Sequence, residues 1–449
     1  MGAPRHYLPA TEREVSEMLE KIGARSIDGL FSDIPEELKL KKRLALPEAL
    51  SEPELVAELE SISAANRADA VCFAGGGIYD HYVPAAVDHM LLRSEFYTAY
   101  TPYQPEISQG TLTAIFQYQT MICELTGMDQ ANASMYDAAT ASAEAAIMCA
   151  SQTGRKRVVM TKATNPRYRD VVRTYGAPRG FEIVEVPYDP KTGQTDEAKL
   201  AEAAKGAACV IAQNPNYFGV IEDMPALSQA AHLDGGFFVA VVNPVSLAVL
   251  EAPRNYGADI AVGEGQSMGN GMNYGGPLLG FMAATSQLIR RMPGRLVGQT
   301  VDNRGQRAFV LTLQTREQHI RRENATSNIC SNEGLCALAA TIHLSLLGPA
   351  GLRKVAEASM WKAHYLAKAI SERTEYKLRF SGPFFNEFAI QGKGCVKELR
   401  ERLLEEGILG GIPLSAAYPE LKHNSLWAVT ELRTKKQMDK LVSLLEVNY

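Results

Sequence analysis

Residues 257–277 read GADIAVGEGQSMGNGMNYGGP, a short apolar run followed by a loop rich in glycine. The run Ile260–Val262 does not alternate with polar residues, which is the pattern of a strand covered on both faces of its sheet. Similar runs occur at Arg157–Met160, Glu182–Val186, Ala208–Ala212, Phe237–Val242 and Leu278–Ala283. Helical segments separate these runs, so the sequence predicts an α/β fold with a mostly parallel sheet.

The segments on either side of this region have a different pattern. The chain up to residue 67 is charged and helical in period, and three prolines divide it into pieces. From about residue 332, long helices alternate with short strands. We therefore expect an N-terminal helical arm at 1–67, a large α/β domain at 68–331 and a small C-terminal α+β domain at 332–449.

The composition of the 449 residues excludes several classes of protein. With a net charge of -5, the chain lacks the basic character of a nucleic-acid-binding surface, and the short basic run 39–43 is expected on a solvated face. No apolar stretch is long enough to predict a membrane span, and the start lacks the pattern of a signal peptide. The seven cysteines are scattered without CxxC spacing, which argues against a metal cluster or disulfide framework. The cytoplasm is the simplest compartment.

The order of a mostly parallel sheet followed by a small α+β domain resembles the fold-type I pyridoxal-phosphate enzymes. In such enzymes a lysine forms a Schiff base with the cofactor. The resemblance places that lysine after the last strands of the large sheet, just before a glycine-rich loop, which is near Ser267 here. No lysine occurs between Gly206 and Arg353. The sequence therefore predicts that no catalytic Schiff-base lysine is present.

Two further groups that this fold uses to hold the cofactor are replaced. Asn243 follows the strand whose end normally carries an aspartate for the pyridinium nitrogen, and Asn165 stands where relatives often have a histidine. The loop at 134–144 enters a helix where the cofactor phosphate would lie, but Ser134 and Asp137 fit a helix cap better than a phosphate site. These replacements predict a chain that does not bind the cofactor covalently.

A second resemblance rests on an unusual tyrosine-rich stretch. Residues 96–106 read FYTAYTPYQPE, and further matching stretches lie at 119–128, 316–323 and 325–330. Together they resemble glycine decarboxylase, the P-protein of the glycine cleavage system. Some members of that family divide a lysine-bearing half and a lysine-free half between two chains, and this chain resembles the lysine-free alpha chain.

The family resemblance implies an activity, a cofactor and partners. The activity would be that of a glycine dehydrogenase (aminomethyl-transferring, decarboxylating), in which glycine loses carbon dioxide and its aminomethyl group passes to the lipoyl arm of the H-protein. The assembly would be alpha-2/beta-2, with pyridoxal phosphate on the lysine-bearing beta subunit. The alpha chain alone is expected to be inactive.

The resemblance also suggests residues that reach the partner's active site. The tyrosine-rich loop would form either the wall of a channel for the lipoyl arm or only part of the subunit interface, and its candidate residues are Tyr97, Tyr100, Tyr103, Gln104 and Glu106. A later loop would either contact the partner's cofactor phosphate or form an ordinary turn, and its candidates are Thr326, Ser327 and Asn328.

Other polar residues are expected to have structural roles. His81 and His89 fit structural histidines better than catalytic ones, and at least two of Arg316, Arg321 and Arg322 are expected to pair with glutamates on a helix surface. Two alternatives stay open, an autonomous pyridoxal-phosphate enzyme of another reaction class and a purely structural partner subunit. Neither a metal site nor a nucleic-acid or membrane partner is expected.

Overall fold

The computed structural model describes residues 9–42, 44–329 and 331–446. The start of the chain, Arg43 of the basic run and Cys330 of the last matching stretch lie outside the described residues. The chain divides into two compact units, residues 1–67 and residues 68–449, and each is described by itself.

The first unit contains two α-helices, α1 (Glu12–Ile22) and α2 (Glu52–Ala64), in its described part. Each begins with a capping box. Thr11 exchanges hydrogen bonds with Glu14 at the start of α1, and the backbone N–H of Ser51 donates to Glu54 Oε2 over 2.8 Å at the start of α2. Because a capping box satisfies donors that a helix start leaves open, these local sequences fix where both helices begin.

The second unit carries the remaining helices and all strands of the described chain. Its α-helices are α3 (Ala85–Leu91), α4 (Ser94–Tyr97), α5 (Gln109–Thr126), α6 (Ala138–Thr153), α7 (Pro166–Gly176), α8 (Glu197–Ala203), α9 (Met224–His232), α10 (Gln318–Arg321), α11 (Gly334–Arg373), α12 (Val396–Glu405) and α13 (Lys435–Glu446). Its strands are β1 (Val71–Cys72), β2 (Gln130–Ala131), β3 (Arg157–Thr161), β4 (Glu182–Val186), β5 (Cys209–Asn214), β6 (Phe237–Val242), β7 (Ile260–Glu264), β8 (Gly280–Ala284), β9 (Leu296–Val301), β10 (Arg307–Thr312), β11 (Lys377–Leu378), β12 (Glu387–Gln391), β13 (Ile408–Leu409), β14 (Ile412–Pro413) and β15 (Asn424–Ala428).

The main sheet has seven strands in the order β2-β8-β7-β6-β5-β3-β4. Strands β3 to β7 pair in parallel, which confirms the mostly parallel sheet. Strand β8 runs antiparallel to β7, with Glu264 opposite Gly280. The chain returns directly from β7 through the glycine-rich loop, without the crossover helix that a parallel connection needs. The glycine-rich part of residues 257–277 is thus the loop that connects the antiparallel strands β7 and β8.

Both faces of this sheet are buried. One face packs against α5, α9 and the first half of α11, and the other packs against α6 and α7. Helix α6 is rich in alanine, and its start lies so close to the sheet that a side chain on Gly280 would collide with the backbone of Asp137. Small residues therefore bring the beginning of α6 against the ends of β7 and β8.

A smaller four-stranded sheet, in the order β11-β12-β15-β14, lies in the C-terminal part of the chain. Helices α11 and α13 pack against this sheet, and the core between them contains leucines and the ring of Trp427. Helix α11 is apolar and long enough, by length and composition, to cross a bilayer. Non-helical backbone at Gly348 breaks it, however, and many of its residues lie in the protein core, so we interpret it as a pair of core helices.

A hairpin of the large domain was not predicted from the sequence. Strands β9 and β10 form an antiparallel hairpin from Leu296 to Thr312. Only the beginning of β9 is buried, and Val301 at its end is exposed. A hairpin with one short apolar stretch gives a weak alternating pattern, which explains why the segment was not recognised.

Candidate functional site

The carboxyl ends of the parallel strands meet the beginning of α6, the place at which this fold positions a ligand. Asp137 caps α6 by accepting a hydrogen bond from the backbone N–H of Thr140 over 2.7 Å. Glu264, at the end of β7, accepts the N–H of Ala138 over 3.2 Å. The same carboxylate accepts the N–H groups of Gln266 and Leu279 at 3.1 and 2.8 Å. Two carboxylates of the chain itself thus occupy the positive end of this helix.

Burial raises the pKa of Glu264 to about 7, and the three backbone hydrogen bonds only partly oppose that shift. The capping prediction was right for Asp137 but wrong in detail for Ser134. The capping box joins Asp137 to Thr140, whereas the Ser134 hydroxyl accepts hydrogen bonds from Asn332 and Glu333 at the start of α11. The turn at Ser134 points its hydroxyl toward α11 instead of along α6.

A segment rich in glycine crosses the same end of the sheet. We call Gly75–Tyr79 the glycine strap. The backbone N–H of Gly76 donates to Glu387 Oε1 over 2.7 Å, and the Tyr79 hydroxyl donates to Glu387 Oε2 over 2.6 Å. The backbone of Tyr79 also exchanges two hydrogen bonds with the Gln266 side chain, at 3.0 and 3.1 Å. Residues far apart in sequence therefore fasten the strap over the loop that follows β7.

The strap requires glycine because neighbouring atoms lie so close. Gly77 has a φ of 110°, and a Cβ on it would lie 2.9 Å from the Tyr168 hydroxyl. Asn165 donates from its side chain to the carbonyl of Gly76 over 2.9 Å and caps α7 by accepting from Arg167 N–H. Asn165, which stands where relatives often have a histidine, thus bonds to the strap and caps a helix.

These residues do not fit a Schiff-base cofactor. The interval Gly206–Arg353 has no lysine, and the Asn243 side chain accepts the N–H of Val245 over 3.0 Å in its own turn. A phosphate at α6 would meet the carboxylates of Asp137 and Glu264. Because carboxylates disfavour a second anion beside them, the beginning of α6 is poorly suited to a phosphate.

The predicted tyrosine-rich loop borders a cavity of about 400 Å³. Tyr97 and Tyr100 line it with 65% and 82% of their surfaces exposed. The opposite wall is formed by the beginning of α5 and by residues 331–338 at the beginning of α11. We call this cavity the tyrosine groove. Two of the five predicted loop residues therefore lie together on one open apolar surface.

The other three loop residues lie outside the lining of the groove. Arg295, buried at the base of the groove, donates to the Tyr103 hydroxyl over 3.3 Å, and its guanidinium carbon lies 5.4 Å from the centre of the Tyr103 ring. The Tyr103 ring also contacts His319 edge to face. Gln104 and Glu106 are exposed in the following turn. Tyr103 thus anchors the loop, and the stacked arginine positions it.

The second predicted loop contacts α6. The Ser327 hydroxyl donates to Glu144 Oε1 over 2.9 Å and accepts the N–H of Ile329. Burial raises the pKa of Glu144 to about 7. Thr326 is half-buried, and Asn328 is exposed. Within this chain the loop therefore makes a turn on α6, and the side chain of Asn328 stays open to a partner.

The remaining candidates divide between structural and surface positions. His81 Nδ1 lies 2.6 Å from Glu431 Oε2, and His89 is exposed on α3. Arg321 and Arg322 are exposed. Arg316 is different, because its guanidinium donates to the carbonyls of Met292, Gly294 and Leu313. These bonds join the segment before the hairpin to the turn that follows it.

Sequence reasoning did not identify Glu264 and Glu387, two of the buried glutamates. A signal existed for Glu264, because a charged residue at the end of a fully apolar strand must find hydrogen-bond partners when it is buried. Nothing local marked Glu387, because its partners Gly76 and Tyr79 lie more than 300 residues away in the sequence.

Sequence comparisons give two consistent results. A profile described as glycine cleavage system P-protein matches residues 5–445. A probable glycine dehydrogenase (decarboxylating) subunit 1 from Anoxybacillus flavithermus is 53% identical over 443 residues, which cover 98% of each chain. A relative of the same description from Carboxydothermus hydrogenoformans is 54% identical over 443 residues, covering 98% of this chain and 99% of its own.

Solved structures agree with the sequence comparisons. A crystal structure of glycine decarboxylase (P-protein) of the glycine cleavage system, in inhibitor-bound form, superimposes with a TM-score of 0.90 at 43% identity and covers 98% of this chain and 99% of its own. A sphingosine-1-phosphate lyase from Burkholderia pseudomallei, at 15% identity and a TM-score of 0.65 over 89% of this chain and 91% of its own, shares the fold alone.

Proposed function

The chain belongs to the glycine cleavage system P-protein family, and we propose that it is the subunit of a glycine dehydrogenase (decarboxylating) that carries no Schiff base. The family resemblance and the fold class expected from the sequence are both confirmed, and the relatives are described as subunit 1 of that enzyme. Pyridoxal phosphate belongs to the chemistry of the complex. We propose that the second subunit, and not this chain, holds the pyridoxal phosphate.

The observation that carries this proposal is the closed end of the sheet. Glu264 and Asp137 take up the donors at the beginning of α6, and Asn165 is committed to the strap. A single lost lysine could be compensated by another amine nearby, but these separate hydrogen bonds argue against a cofactor on this chain. In our proposal a lysine-bearing second subunit holds pyridoxal phosphate, and two copies of each subunit form a cytoplasmic alpha-2/beta-2 assembly.

We further propose that the tyrosine groove faces the active site of the second subunit and receives the lipoyl arm of the H-protein. Tyr97 and Tyr100 present flat apolar faces with a polar edge, which suit an aliphatic arm that ends in a sulfur heterocycle. In this arrangement the chain shapes the channel and excludes water from it. The aminomethyl group derived from glycine then passes to the lipoyl arm and is not protonated by solvent. Such large exposed aromatic surface is also typical of a partner interface.

The two alternatives predict different behaviour. An autonomous enzyme of another reaction class would need an internal aldimine on this chain, and a purely structural subunit would tolerate loss of the groove tyrosines. Support for our proposal over the first lies in the closed cofactor place. The exposure of Tyr97 and Tyr100 suits both our proposal and the second alternative, and the effect of replacing these tyrosines on activity distinguishes them.

The test is reconstitution of activity. Each full-length chain is assayed alone and mixed with its lysine-bearing partner, with lipoylated H-protein and glycine, by exchange of labelled bicarbonate into glycine. We expect no exchange from this chain alone and full exchange from the mixture. Exchange by this chain alone would show that it is a complete enzyme, and full exchange by the partner alone would leave it only a structural role.

A further inference from the structure

The lining of the tyrosine groove includes two residues of charged type, Arg295 and Glu333. Arg295 is 2% exposed, and its guanidinium donates to the Tyr103 hydroxyl and lies against the Tyr103 ring. Glu333 is half-buried at the beginning of α11, on the wall opposite the tyrosine-rich loop. The remaining lining residues are apolar or carry uncharged polar groups. Glu333 therefore supplies the charged side chain that a molecule in the groove would meet.

The Glu333 side chain has no hydrogen-bond or ion-pair partner within the part of the chain that the structure describes. Its backbone is paired, because the N–H donates to Ser134 Oγ over 3.0 Å and the carbonyl accepts the N–H of Ala337 over 2.8 Å. Burial raises the pKa of the carboxyl group, since the charged form loses contact with water. A ligand that donates N–H groups or brings a positive charge would offset this loss.

The surroundings of Glu333 define the rest of such a ligand. Tyr97 and Tyr100 line the groove with large exposed aromatic surfaces, and aromatic ring faces attract ammonium groups. Ile115 and Leu335 add aliphatic surface. A carboxylate or phosphate would be repelled by Glu333, and a hydrocarbon would leave its carboxylate unpaired. The groove thus fits an aliphatic chain that ends in a primary amine.

The lipoyl arm gains a primary amine when it accepts the aminomethyl group. The oxidised arm ends in a disulfide, which has no N–H donor. In the transfer, the electron pair that carbon dioxide leaves on the methylene carbon forms a bond to one sulfur while the S–S bond breaks. The other sulfur keeps the electron pair of the S–S bond, takes a proton and becomes a thiol. The loaded arm therefore carries an amine, on the carbon next to sulfur, that the oxidised arm lacks.

We infer that Glu333 holds this amine in the tyrosine groove, an inference that rests on the proposed function. The carboxylate accepts the N–H groups of the amine, while Tyr97 and Tyr100 contact the aliphatic part of the arm. The chain then binds the loaded arm more tightly than an arm without the amine. Glu333 is thus a specificity-determining residue, which distinguishes the loaded arm from the oxidised arm.

The test compares two alkylated forms of the H-protein that differ only in an amine. The reduced lipoyl arm is alkylated with 2-bromoethylamine, which mimics the loaded arm, or with 1-bromopropane, which gives an equally long chain without nitrogen. Isothermal titration calorimetry measures the Kd of each form for the complex of both full-length subunits. We expect the aminoethyl form to bind about tenfold more tightly than the propyl form, as for one charge-assisted hydrogen bond.

Variants of this chain assign the difference to Glu333. Glu333→Gln should abolish the tenfold difference by weakening the aminoethyl form alone, and Glu333→Asp, which keeps the charge, should retain part of it. The matched control Glu124→Gln changes an exposed glutamate outside the groove lining and should retain all of it. Circular dichroism establishes that each variant is folded.

Two results would overturn the inference. The first is an equal Kd of the two forms for the parent complex, a comparison that needs no variant. The second is a difference that folded Glu333→Gln retains in full. In both cases, exchange of labelled bicarbonate by the parent complex leaves the proposed function standing. Absence of that exchange overturns the proposed function, and the inference falls with it.

Discussion

The carboxylate of Glu264 accepts the backbone N–H of Ala138, the first residue of α6, over 3.2 Å. A side chain from the end of a strand thereby takes the place that an anionic ligand takes at such a helix start. The same carboxylate closes the turn after β7 through Gln266 and Leu279. Glu264 thus joins the end of β7, the turn that follows it and the beginning of α6.

Removing this carboxylate should destabilise the chain. In Glu264→Ala, three backbone N–H groups lose their acceptor in a buried setting, so we expect the free energy of unfolding to fall by about 2–4 kcal/mol. Urea denaturation at neutral pH measures it. Glu124→Ala, on the exposed face of α5, is the control and should change stability by less than about 0.5 kcal/mol. Equal stability of both variants would contradict the role assigned to Glu264.

The buried glutamates should also make stability depend on pH. Burial raises the pKa of Glu387 from 4.5 to about 7, against the hydrogen bonds from Tyr79 and Gly76. The folded state then binds this proton more tightly than the unfolded state. The free energy of unfolding therefore falls as pH rises from about 4.5 to about 7 and levels off above that range. Burial raises the pKa in the same direction for three further glutamates, which are Glu144, Glu222 and Glu264.

Glu387→Gln isolates one contribution. A glutamine can still accept from Gly76 N–H and can donate to the Tyr79 hydroxyl, so the hydrogen bonds are kept while the charge is removed. We expect the slope of stability against pH to decrease by up to about 1.4 kcal/mol per pH unit, with a gain of about 1–3 kcal/mol at pH about 8. Urea denaturation at a series of pH values from about 4.5 to about 8 measures this slope for both chains. A slope identical to that of the parent chain would disprove the assignment.

The tyrosine groove should matter for turnover and little for stability. Tyr100 is 82% exposed, so Tyr100→Ala should cost less than about 0.5 kcal/mol of unfolding free energy. We expect it to lower the exchange activity of the reconstituted complex about tenfold or more, because the wall for the lipoyl arm is lost. Trp361→Ala, an exposed aromatic residue outside the groove lining, is the control. Full activity of an assembled Tyr100→Ala complex would remove the groove from the mechanism.

Substitutions at Ser327 and Asn328 should show whether this loop has a structural role or contacts the partner. Ser327→Ala loses the hydrogen bond to buried Glu144 and should lower the free energy of unfolding by about 1–2 kcal/mol. Asn328 is exposed, so Asn328→Ala should leave the free energy of unfolding unchanged. If this loop reaches the partner's cofactor phosphate, Asn328→Ala raises the Kd of pyridoxal phosphate for the complex. An unchanged Kd would restrict the loop to its turn on α6.

The sequence was informative wherever contacts are local. The apolar runs predicted β3 to β7 to within a few residues. The antiparallel direction of β8 was not expected, because the apolar run of a strand does not encode its direction. Direction depends on the connection, and here the glycine-rich loop between β7 and β8 contains no crossover helix.

The site was predictable only in part, for the same physical reason. The absence of a lysine is visible in the sequence, and the prominence of tyrosine at residues 97–103 pointed to a surface loop. The closure of the cofactor place depends on pairs such as Gly76 with Glu387, which the fold brings together from distant parts of the chain. No spacing in the sequence reveals such a pair.

Borohydride reduction fixes a Schiff base covalently and so identifies the chain that carries it. The complex of both subunits is saturated with pyridoxal phosphate, reduced with borohydride and digested, and the peptides are mapped by mass spectrometry. We expect the pyridoxyl group on one lysine of the partner subunit and on no lysine of this chain. A stoichiometric adduct on a lysine of this chain would contradict the account.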